Sequence, residues 1–217
     1  MEPFRKNRSF LIEGPDRLGK STLIEALQQE LGFFQVIHYE KPKYLLTHRN
    51  DAVALRSIID TATEEEQIKS SCYRRYQIES FLTMFDMLST GAPFIMDRAH
   101  LGEMVYASRY RGYNGNYVLS LEKTAHNRAL RRNARSTITE DVLILLTTSD
   151  FSFIVDDGLS FDFSAKEAEQ ADFIKAFKAS AYKNKLCIDV HDGHGAFKRP
   201  DVILSEVLHF LEGISRK

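Results

Sequence analysis

The sequence predicts an α/β fold with a central parallel β-sheet flanked by helices, on the strength of two observations. Short apolar runs alternate along the chain with segments whose apolar residues recur at helical spacing. The first apolar run leads directly into a glycine-containing turn and a helical segment, which is one strand–turn–helix unit of such a sheet. The chain has 217 residues and no linker-like stretch, so a single domain over 1–217 is expected.

The elements follow one another in a regular order. Strands are predicted at 10–13, 34–38, 93–97, 142–147 and 186–190. Helices are predicted at about 20–31, 65–89, 101–111, 120–135, 165–180 and 201–211. Two segments, 41–51 and 150–164, have no regular assignment. The second contains an Asp-Asp-Gly sequence between a strand and a helix and is a candidate mobile lid.

Composition excludes several classes of protein. The net charge of −1 gives no general electrostatic case for a nucleic-acid or membrane partner. The apolar runs are far shorter than a membrane span, and the N-terminus lacks the apolar core of a secretory signal. The two cysteines, Cys72 and Cys187, are far apart in sequence and are expected to be buried thiols rather than a bridge. A cytoplasmic location is therefore predicted.

The turn after the first strand has the pattern of a phosphate-binding loop. The sequence from Gly14 to Ser21, GPDRLGKS, fits G-x-x-x-x-G-K-[ST] at all four fixed positions. In such loops backbone N–H groups surround the phosphates, the lysine reaches the β- and γ-phosphates, and the hydroxyl ligates Mg²⁺. A turn that binds nothing has no need of the lysine and hydroxyl, so we favour nucleoside triphosphate binding. The predicted nucleotide-binding residues are Gly14, Pro15, Asp16, Arg17, Leu18, Gly19, Lys20, Ser21 and Thr22.

A second chemical element ends the third predicted strand. Three apolar residues precede Asp97 and Arg98, which is the form of a Walker B strand. Ligands of parallel sheets collect at the carboxyl ends of the strands, so both side chains should lie beside the loop. Asp97 could then hold Mg²⁺, together with Ser21, and Arg98 could grip a second phosphate. The alternative is a strand whose polar end simply meets solvent. The complete loop earlier in the chain favours the functional interpretation.

These motifs together resemble those of thymidylate kinases. The stretch EGPDRLGKST from Glu13, followed after a long helix by Asp97-Arg98, carries the resemblance, which extends loosely over nearly the whole chain. The sequence HLGEMVY from His100, with Tyr110-Arg111-Gly112 after it, resembles the divergent branch common in bacteriophages. The resemblance implies a P-loop kinase fold with a lid segment, ATP and Mg²⁺ as cofactors, and a homodimer packed through long helices.

The resemblance also implies roles for residues of the loop. Asp16 would bind the 3′-hydroxyl of a nucleoside monophosphate, and Arg17 and Lys20 would be the catalytic cations. Members without a loop arginine usually supply one from the lid. Here Arg17 is present and 150–165 contains no arginine or lysine, which agrees with that rule. The family's usual tyrosine after Asp-Arg is replaced by Ala99, so no role is carried over to that position.

The acceptor-base pocket is expected on the long helix before the third strand. By spacing, Tyr73 falls where the family places an aromatic ring over thymine. The usual arginine one turn later is Gln77 here, although Arg74 and Arg75 are adjacent. Either an arginine takes over that place or the base preference has changed. The alternative is that the helix aromatics are ordinary residues at the margin of the core.

Two further features are a basic segment that the family does not explain and a loop after the last predicted strand. The segment 123–139 contains no acid but carries five basic residues, namely Lys123, Arg128, Arg131, Arg132 and Arg135. A solvated face is preferred there over a phosphate clamp or a nucleic-acid surface. The loop HDGHG at 191–195 has a metal-like composition, but it follows the last predicted strand. Nucleotide kinases of this architecture place their adenine-contacting loop there, so the resemblance favours adenine contact over a metal.

The sequence thus predicts an ATP- and Mg²⁺-dependent kinase that phosphorylates a deoxynucleoside monophosphate, with dTMP as the first candidate. One rival is a deoxynucleoside kinase of the same fold, for which Glu13 and Glu103 are conceivable general bases. Another is a nucleotide-binding module without catalysis, acting through the face from Arg128 to Arg135. Acceptor assays with thymidine and with dTMP discriminate among the three.

Overall fold

The computed structural model describes residues 8–32, 35–38, 71–110, 113–131, 141–154 and 163–215. The strands are β1 (Phe10–Glu13), β2 (Gln35–His38), β3 (Phe94–Asp97), β4 (Val142–Thr147) and β5 (Asn184–Asp189). The described helices are α1 (Lys20–Leu31), α2 (Ser71–Leu88), α3 (His100–Tyr110), α4 (Tyr117–Arg131), α5 (Phe163–Ala179) and α6 (Pro200–Ser215). None of these helices is long and apolar enough to cross a membrane.

The five strands form one parallel sheet in the order β2-β3-β1-β4-β5. β2 and β3 lie on one side of β1, and β4 and β5 lie on the other. The direction in which the chain adds strands to the sheet therefore reverses at β1. In open parallel sheets, this reversal opens a crevice at the carboxyl ends of the central strands. The predicted α/β fold with a central parallel sheet flanked by helices is confirmed.

The sheet separates two apolar layers because successive strand residues point to opposite faces. Phe10 and Ile12 of β1 pack with α1 and α6, whereas Leu11 between them packs with α2, α3, α4 and α5. β4 supplies side chains to both layers and is buried along its whole length, as expected of an inner parallel strand. The sheet is thereby covered on both faces and its carboxyl edge is held in place.

Several predicted boundaries differ from those observed. β1, β4 and α1 agree with their predicted limits, while β5 begins two residues early, at Asn184. The helix predicted at 120–135 begins at Tyr117, after a turn in which Asn116 N–H donates to the side chain of Asn114. The last helix continues to Ser215 because Leu211 and Ile214 still pack on the core. The predicted segment 41–51 lies outside the described residues.

The expectation of a buried thiol is wrong for Cys187. This residue is a free cysteine with an exposed side chain. It lies on β5, which is one of the two edge strands of the described sheet and is covered less completely than β4. Only the position of Cys72 on α2 is described, so the expectation for its side chain stays a prediction.

Candidate functional site

The glycines of the loop are required by its backbone. Gly14 leaves β1 with φ 136°, and a Cβ atom there would lie 2.4 Å from the carbonyl oxygen of Leu146 on β4. Gly19 adopts φ 80° just before α1 begins. Conformations of this kind are strained for residues with side chains. The loop therefore presses against the sheet at one end and opens helix α1 at the other, where free N–H groups favour anions.

The ammonium group of Lys20 lies inside the curve of this loop. It donates hydrogen bonds to the carbonyl oxygens of Gly14 at 2.9 Å and Pro15 at 2.6 Å. Burial lowers the pKa of Lys20 to about 8, against the opposing effect of the Asp16 carboxylate 3.7 Å away. A desolvated cation of this kind is stabilised strongly by the approach of an anion.

An ion pair joins the loop to the end of β3. A guanidinium nitrogen of Arg98 lies 2.8 Å from a carboxylate oxygen of Asp16. The backbone fixes this arrangement, because Arg98 N–H also donates to the carbonyl of Ile12 at 3.1 Å and so extends the pairing of β3 with β1. Sequence-predicted residues of the two motifs, Asp16 and Arg98, are therefore brought into direct contact across 82 positions of the sequence.

Arg17 and Arg98 share an unusual backbone. They are the non-glycine residues of the described part with positive φ, 70° and 64° respectively. Left-handed backbone at a residue with a side chain is uncommon and strained, and it tends to persist where the surroundings enforce it at functional sites. Both strained positions carry a cation beside the loop, which is where a phosphate-transfer site needs positive charge. No sequence pattern signals these angles.

Asp97 contacts a residue that the sequence did not reveal as part of the site. His38 ends β2 and pairs in register with Asp97 on β3. The imidazole Nδ1 lies 2.9 Å from a carboxylate oxygen of Asp97. The Asp97 carboxylate also lies close enough to Lys20 to act on its pKa. The adjacency of β2 and β3 is what brings His38 to this edge, and sequence alone did not reveal it.

The residues expected to hold Mg²⁺ have suitable chemistry. Ser21 lies in the first turn of α1 with an exposed side chain, and Thr22 beside it is exposed as well. Hydroxyl and carboxylate oxygens, from Ser21 and Asp97, are the donors that Mg²⁺ takes, usually alongside substrate phosphates and water. The donor set therefore fits a magnesium–nucleotide complex.

The two carboxylates considered as general bases are both engaged in structure. Glu13 is buried, and its carboxylate accepts hydrogen bonds from the backbone N–H groups of Ala99 at 3.0 Å and Leu101 at 2.8 Å. Burial raises the pKa of Glu13. It thus holds the start of α3 in place. Glu103 accepts from the hydroxyls of Tyr113 and Tyr117, the latter at 2.8 Å.

The predicted acceptor-base residues lie in the N-terminal half of α2. The guanidinium of Arg74 lies 5.4 Å from the centre of the Tyr117 ring, and Arg75 is exposed. Gln77 is 1% exposed, and its amide oxygen has no hydrogen-bond partner in the described part of the chain. For Tyr73 only the position on α2 is described.

The position of Gln77 relative to the two edges of the sheet follows from helix and strand geometry. α2 runs antiparallel to β3, because a short connection joins the end of one to the start of the other. Eleven residues of helix place Gln77 about 16 Å above Leu88, whereas β3 spans about 10 Å. Gln77 is therefore near the carboxyl edge of the sheet, on the same side as Asp97 and Arg98.

The candidate lid is described only at its beginning. Phe151 and Ile154 are buried, and the Asp150 carboxylate accepts hydrogen bonds from both the backbone and the hydroxyl of Ser152. Residues 155–162 are outside the described part.

Immediately after the predicted lid, on α5, Lys166 donates to Glu169 at 3.0 Å, and both side chains are buried. Lys166 is thus the first basic residue after the predicted lid, and it is paired with an acid.

The loop at 191–195 is held by its own polar groups. His191 accepts a hydrogen bond at Nε2 from Gly195 N–H at 3.1 Å, and its Nδ1 lies 3.1 Å from the hydroxyl of Ser149. The ring stacks on Phe153, with centroids 5.2 Å apart, and so joins the start of the candidate lid to this loop. No group of three or more potential metal ligands among His, Cys, Asp and Glu occurs in the described residues.

The basic face is seen in part. Lys123, Arg128 and Arg131 are exposed on α4, while Arg132 and Arg135 lie outside the described residues. Leu130 beside them is 51% exposed.

Comparison with known proteins identifies the fold of the chain. No family model matches the chain, and no curated protein matches it. Among solved structures, thymidylate kinase from Candida albicans is 18% identical, with 97% of this chain and 93% of that chain covered and a TM-score of 0.54. YorR from Bacillus subtilis, solved with phosphorylated GDP, is 15% identical, with 96% and 98% covered and a TM-score of 0.53. Deoxyadenosine kinase from M. mycoides is 14% identical, with 94% and 99% covered and a TM-score of 0.51. The chain therefore has the P-loop kinase fold.

Proposed function

We propose that this protein is an ATP- and Mg²⁺-dependent kinase of the thymidylate kinase-like group that phosphorylates a deoxynucleoside monophosphate, with dTMP as the first candidate acceptor. The observation that carries the proposal is the contact between Asp16 and Arg98 beside Lys20. A donor-phosphate lysine and an arginine suited to a second phosphate thus lie in one cluster. Transfer between two phosphates needs that arrangement.

The proposed chemistry is positioning and charge neutralisation. Lys20 exchanges its loop carbonyls for donor phosphate oxygens, and Arg17 adds a second positive charge at the transferring group. Arg98 holds the acceptor phosphate with its guanidinium fork. Ser21 and Asp97 hold Mg²⁺, which when bound neutralises charge on the donor phosphates.

The acceptor nucleoside lies between the loop and α2. Asp16 accepts a hydrogen bond from the sugar 3′-hydroxyl, which it can do while Arg98 turns to the phosphate. The base then extends toward the N-terminal half of α2, where Tyr73, Arg74, Arg75 and Gln77 are the proposed contacts. The buried amide oxygen of Gln77 supports this placement, since a buried polar atom without a partner calls for a ligand or another explanation.

A kinase of nucleosides is less well supported. Its acceptor hydroxyl needs a base, and Glu13 is committed to backbone N–H groups while Glu103 is committed to two tyrosines. A non-catalytic nucleotide-binding module would leave the strained Arg98 backbone without a purpose. The homodimer implied by the family resemblance is part of the proposal and is tested by light scattering on the purified protein.

The test is an ADP-release assay with ATP and Mg²⁺ against dTMP, dUMP, dGMP, dCMP, dAMP and thymidine. Turnover with a monophosphate and none with thymidine is expected. Turnover with thymidine alone would replace the proposal by the nucleoside kinase. If the protein binds ATP but releases no ADP with any of the six acceptors, catalysis on these acceptors is refuted and the non-catalytic binding module is supported.

Variants of the loop assign the cations. Lys20→Ala should abolish turnover, and Arg17→Ala should slow it by about 10²-fold or more with nucleotide binding largely kept. Lys175→Ala is a matched control, because this lysine is exposed on α5, away from the loop. Near-normal turnover in Lys20→Ala would contradict the assignment.

A further inference from the structure

His38 is a polar residue at the site with no role in the reaction outlined above. It is the last residue of edge strand β2, and the parallel register places it directly beside Asp97. Its side chain is 62% exposed, whereas that of Asp97 is 15% exposed. The contact therefore joins an accessible imidazole to a largely enclosed carboxylate.

The hydrogen-bond geometry fixes which nitrogen acts. A carboxylate can only accept, so the proton lies on Nδ1, which is 2.9 Å from Oδ2 of Asp97. The second ring nitrogen is directed elsewhere. One carboxylate oxygen is thereby occupied, and no hydrogen bond within the described residues occupies the other. The carboxylate as a whole lies within electrostatic reach of Lys20.

The contact has little weight as a stabiliser of the fold. Pairs with a largely exposed partner contribute little to stability, since water competes for both groups and the side chains lose freedom. The carboxylate of a metal ligand, in contrast, gains much from a partner that fixes its orientation. The position of His38 is therefore better explained by what it does to Asp97 than by what it does to the sheet.

We propose that His38 is a positioning residue: it orients the Asp97 carboxylate so that the free oxygen can take the divalent cation bound with the nucleotide. His38 itself touches neither the cation nor the substrates. This inference rests on the proposed function, specifically on the role of Asp97 in holding Mg²⁺.

The test distinguishes a role of the Nδ1 atom of His38 from a role of its Nε2 atom. The side-chain amide nitrogen of asparagine can reach the place of Nδ1, and that of glutamine the place of Nε2. His38→Asn should therefore keep the contact with Asp97, whereas His38→Gln and His38→Ala should lose it. His209→Ala is the matched control, because His209 is exposed on α6.

The probe is Mn²⁺ with a non-hydrolysable ATP analogue, titrated by electron paramagnetic resonance on the intact protein. Mn²⁺ affinity should fall about 10-fold or more in His38→Ala and His38→Gln, and stay within a factor of about three in His38→Asn. At saturating Mg²⁺ the kcat of His38→Ala and His38→Gln should recover to the wild-type value. The Tm should match that of the wild type in all four variants.

The outcomes distinguish this inference from the proposed function. Wild-type Mn²⁺ affinity in His38→Ala, or rescue by glutamine as well as by asparagine, would overturn the inference while leaving the kinase intact. A lower Tm shared by all His38 variants would show a structural role and overturn it too. Asp97→Asn is measured in parallel. Unchanged Mn²⁺ affinity in that variant would refute the metal role of Asp97, and with it the inference.

Discussion

At the residue scale, the site is characterised by groups kept in unfavourable states. Lys20 is a buried cation, Arg17 and Arg98 have left-handed backbone, and Gln77 has a buried oxygen without a partner in the described part. Each of these lowers the stability of the free protein and is relieved or used when an anion or a base binds. Such states identify candidate functional residues independently of any motif.

The buried state of Lys20 predicts a pH dependence of nucleotide binding. Its pKa of about 8 means that the ammonium form dominates below pH 8 and is lost as pH rises through that value. Bound phosphates favour the charged form, so ATP binding near pH 8 should take up a proton and affinity should fall at higher pH. Calorimetry in two buffers of different ionisation enthalpy measures the uptake. Lys20→Met should show none, and uptake that persists in that variant would assign it to another group.

The buried state of Gln77 predicts that one substitution should keep or raise the stability of the protein while it weakens acceptor binding. Gln77→Met removes a buried amide at nearly constant volume, so the free energy of unfolding should rise or stay unchanged. The KM for the preferred monophosphate should rise about 10-fold or more, with the KM for ATP unaffected. Thermal melts and steady-state kinetics check both, with Gln29→Met on the exposed face of α1 as control. A destabilised variant with unchanged acceptor KM would show that Gln77 serves the core.

At the element scale, one carboxylate joins three parts of the second layer. Glu122 of α4 accepts from His100 Nε2 of α3 at 2.6 Å, and also from the Ser180 hydroxyl and the Ala181 N–H after α5. Burial raises the pKa of Glu122, but these hydrogen bonds outweigh that effect and hold it below the ordinary value. His100 also contacts the rings of Phe85 and Tyr182. The start of α3, and with it Arg98, is thus tied to the helices behind it.

Glu122→Gln should therefore destabilise the protein by about 1.5–3 kcal/mol at neutral pH, since bonds to a charged group are lost. A lowered pKa means that the carboxylate stabilises the fold above the unfolded value of 4.5 and loses that effect as pH falls further. The difference between wild type and variant should accordingly shrink below pH 4.5. Urea unfolding at several pH values measures it, with exposed Glu25→Gln as control. A difference independent of pH would point to packing instead.

Elements were predicted well because their signals are local. The apolar run of β4 and the spacing of Leu23, Ile24 and Leu27 in α1 define those segments without knowledge of the rest of the chain. The contacts that shape the site are not local. The pairing of His38 with Asp97 depends on strand order, and that of Asp16 with Arg98 depends on a backbone angle that residue identity does not reveal. The loop, and the position of Asp97 and Arg98 beside it, could therefore be predicted from sequence. The specific contacts that these two residues make with His38 and Asp16 could not.

At the scale of the whole molecule, the two apolar layers share the sheet and should unfold together. Residues of β1 and β4 alternate between the layers, so neither can lose its packing while the other keeps its strands. Leu27→Ala in one layer should cost about 2–5 kcal/mol, and Phe81→Ala in the other about 3–5 kcal/mol. Each should move a single transition to lower denaturant.

Far-UV circular dichroism and tyrosine fluorescence, recorded on the same samples, check this coupling because they report on the backbone and on packing separately. Coincident curves with an unchanged m-value support one cooperative unit. If one variant split the transition and moved only one of its phases, the layers would be independent and the single-domain prediction for 1–217 would fail.

The bonding of His191 joins two segments that are far apart in the sequence. Gly195 N–H can only donate, so Nε2 of the ring accepts, and the Nδ1 side faces the Ser149 hydroxyl. The same ring stacks on Phe153, which lies at the start of the candidate lid. One substitution at His191 would therefore remove both the bond that closes the loop at 191–195 and the contact that anchors the segment after β4.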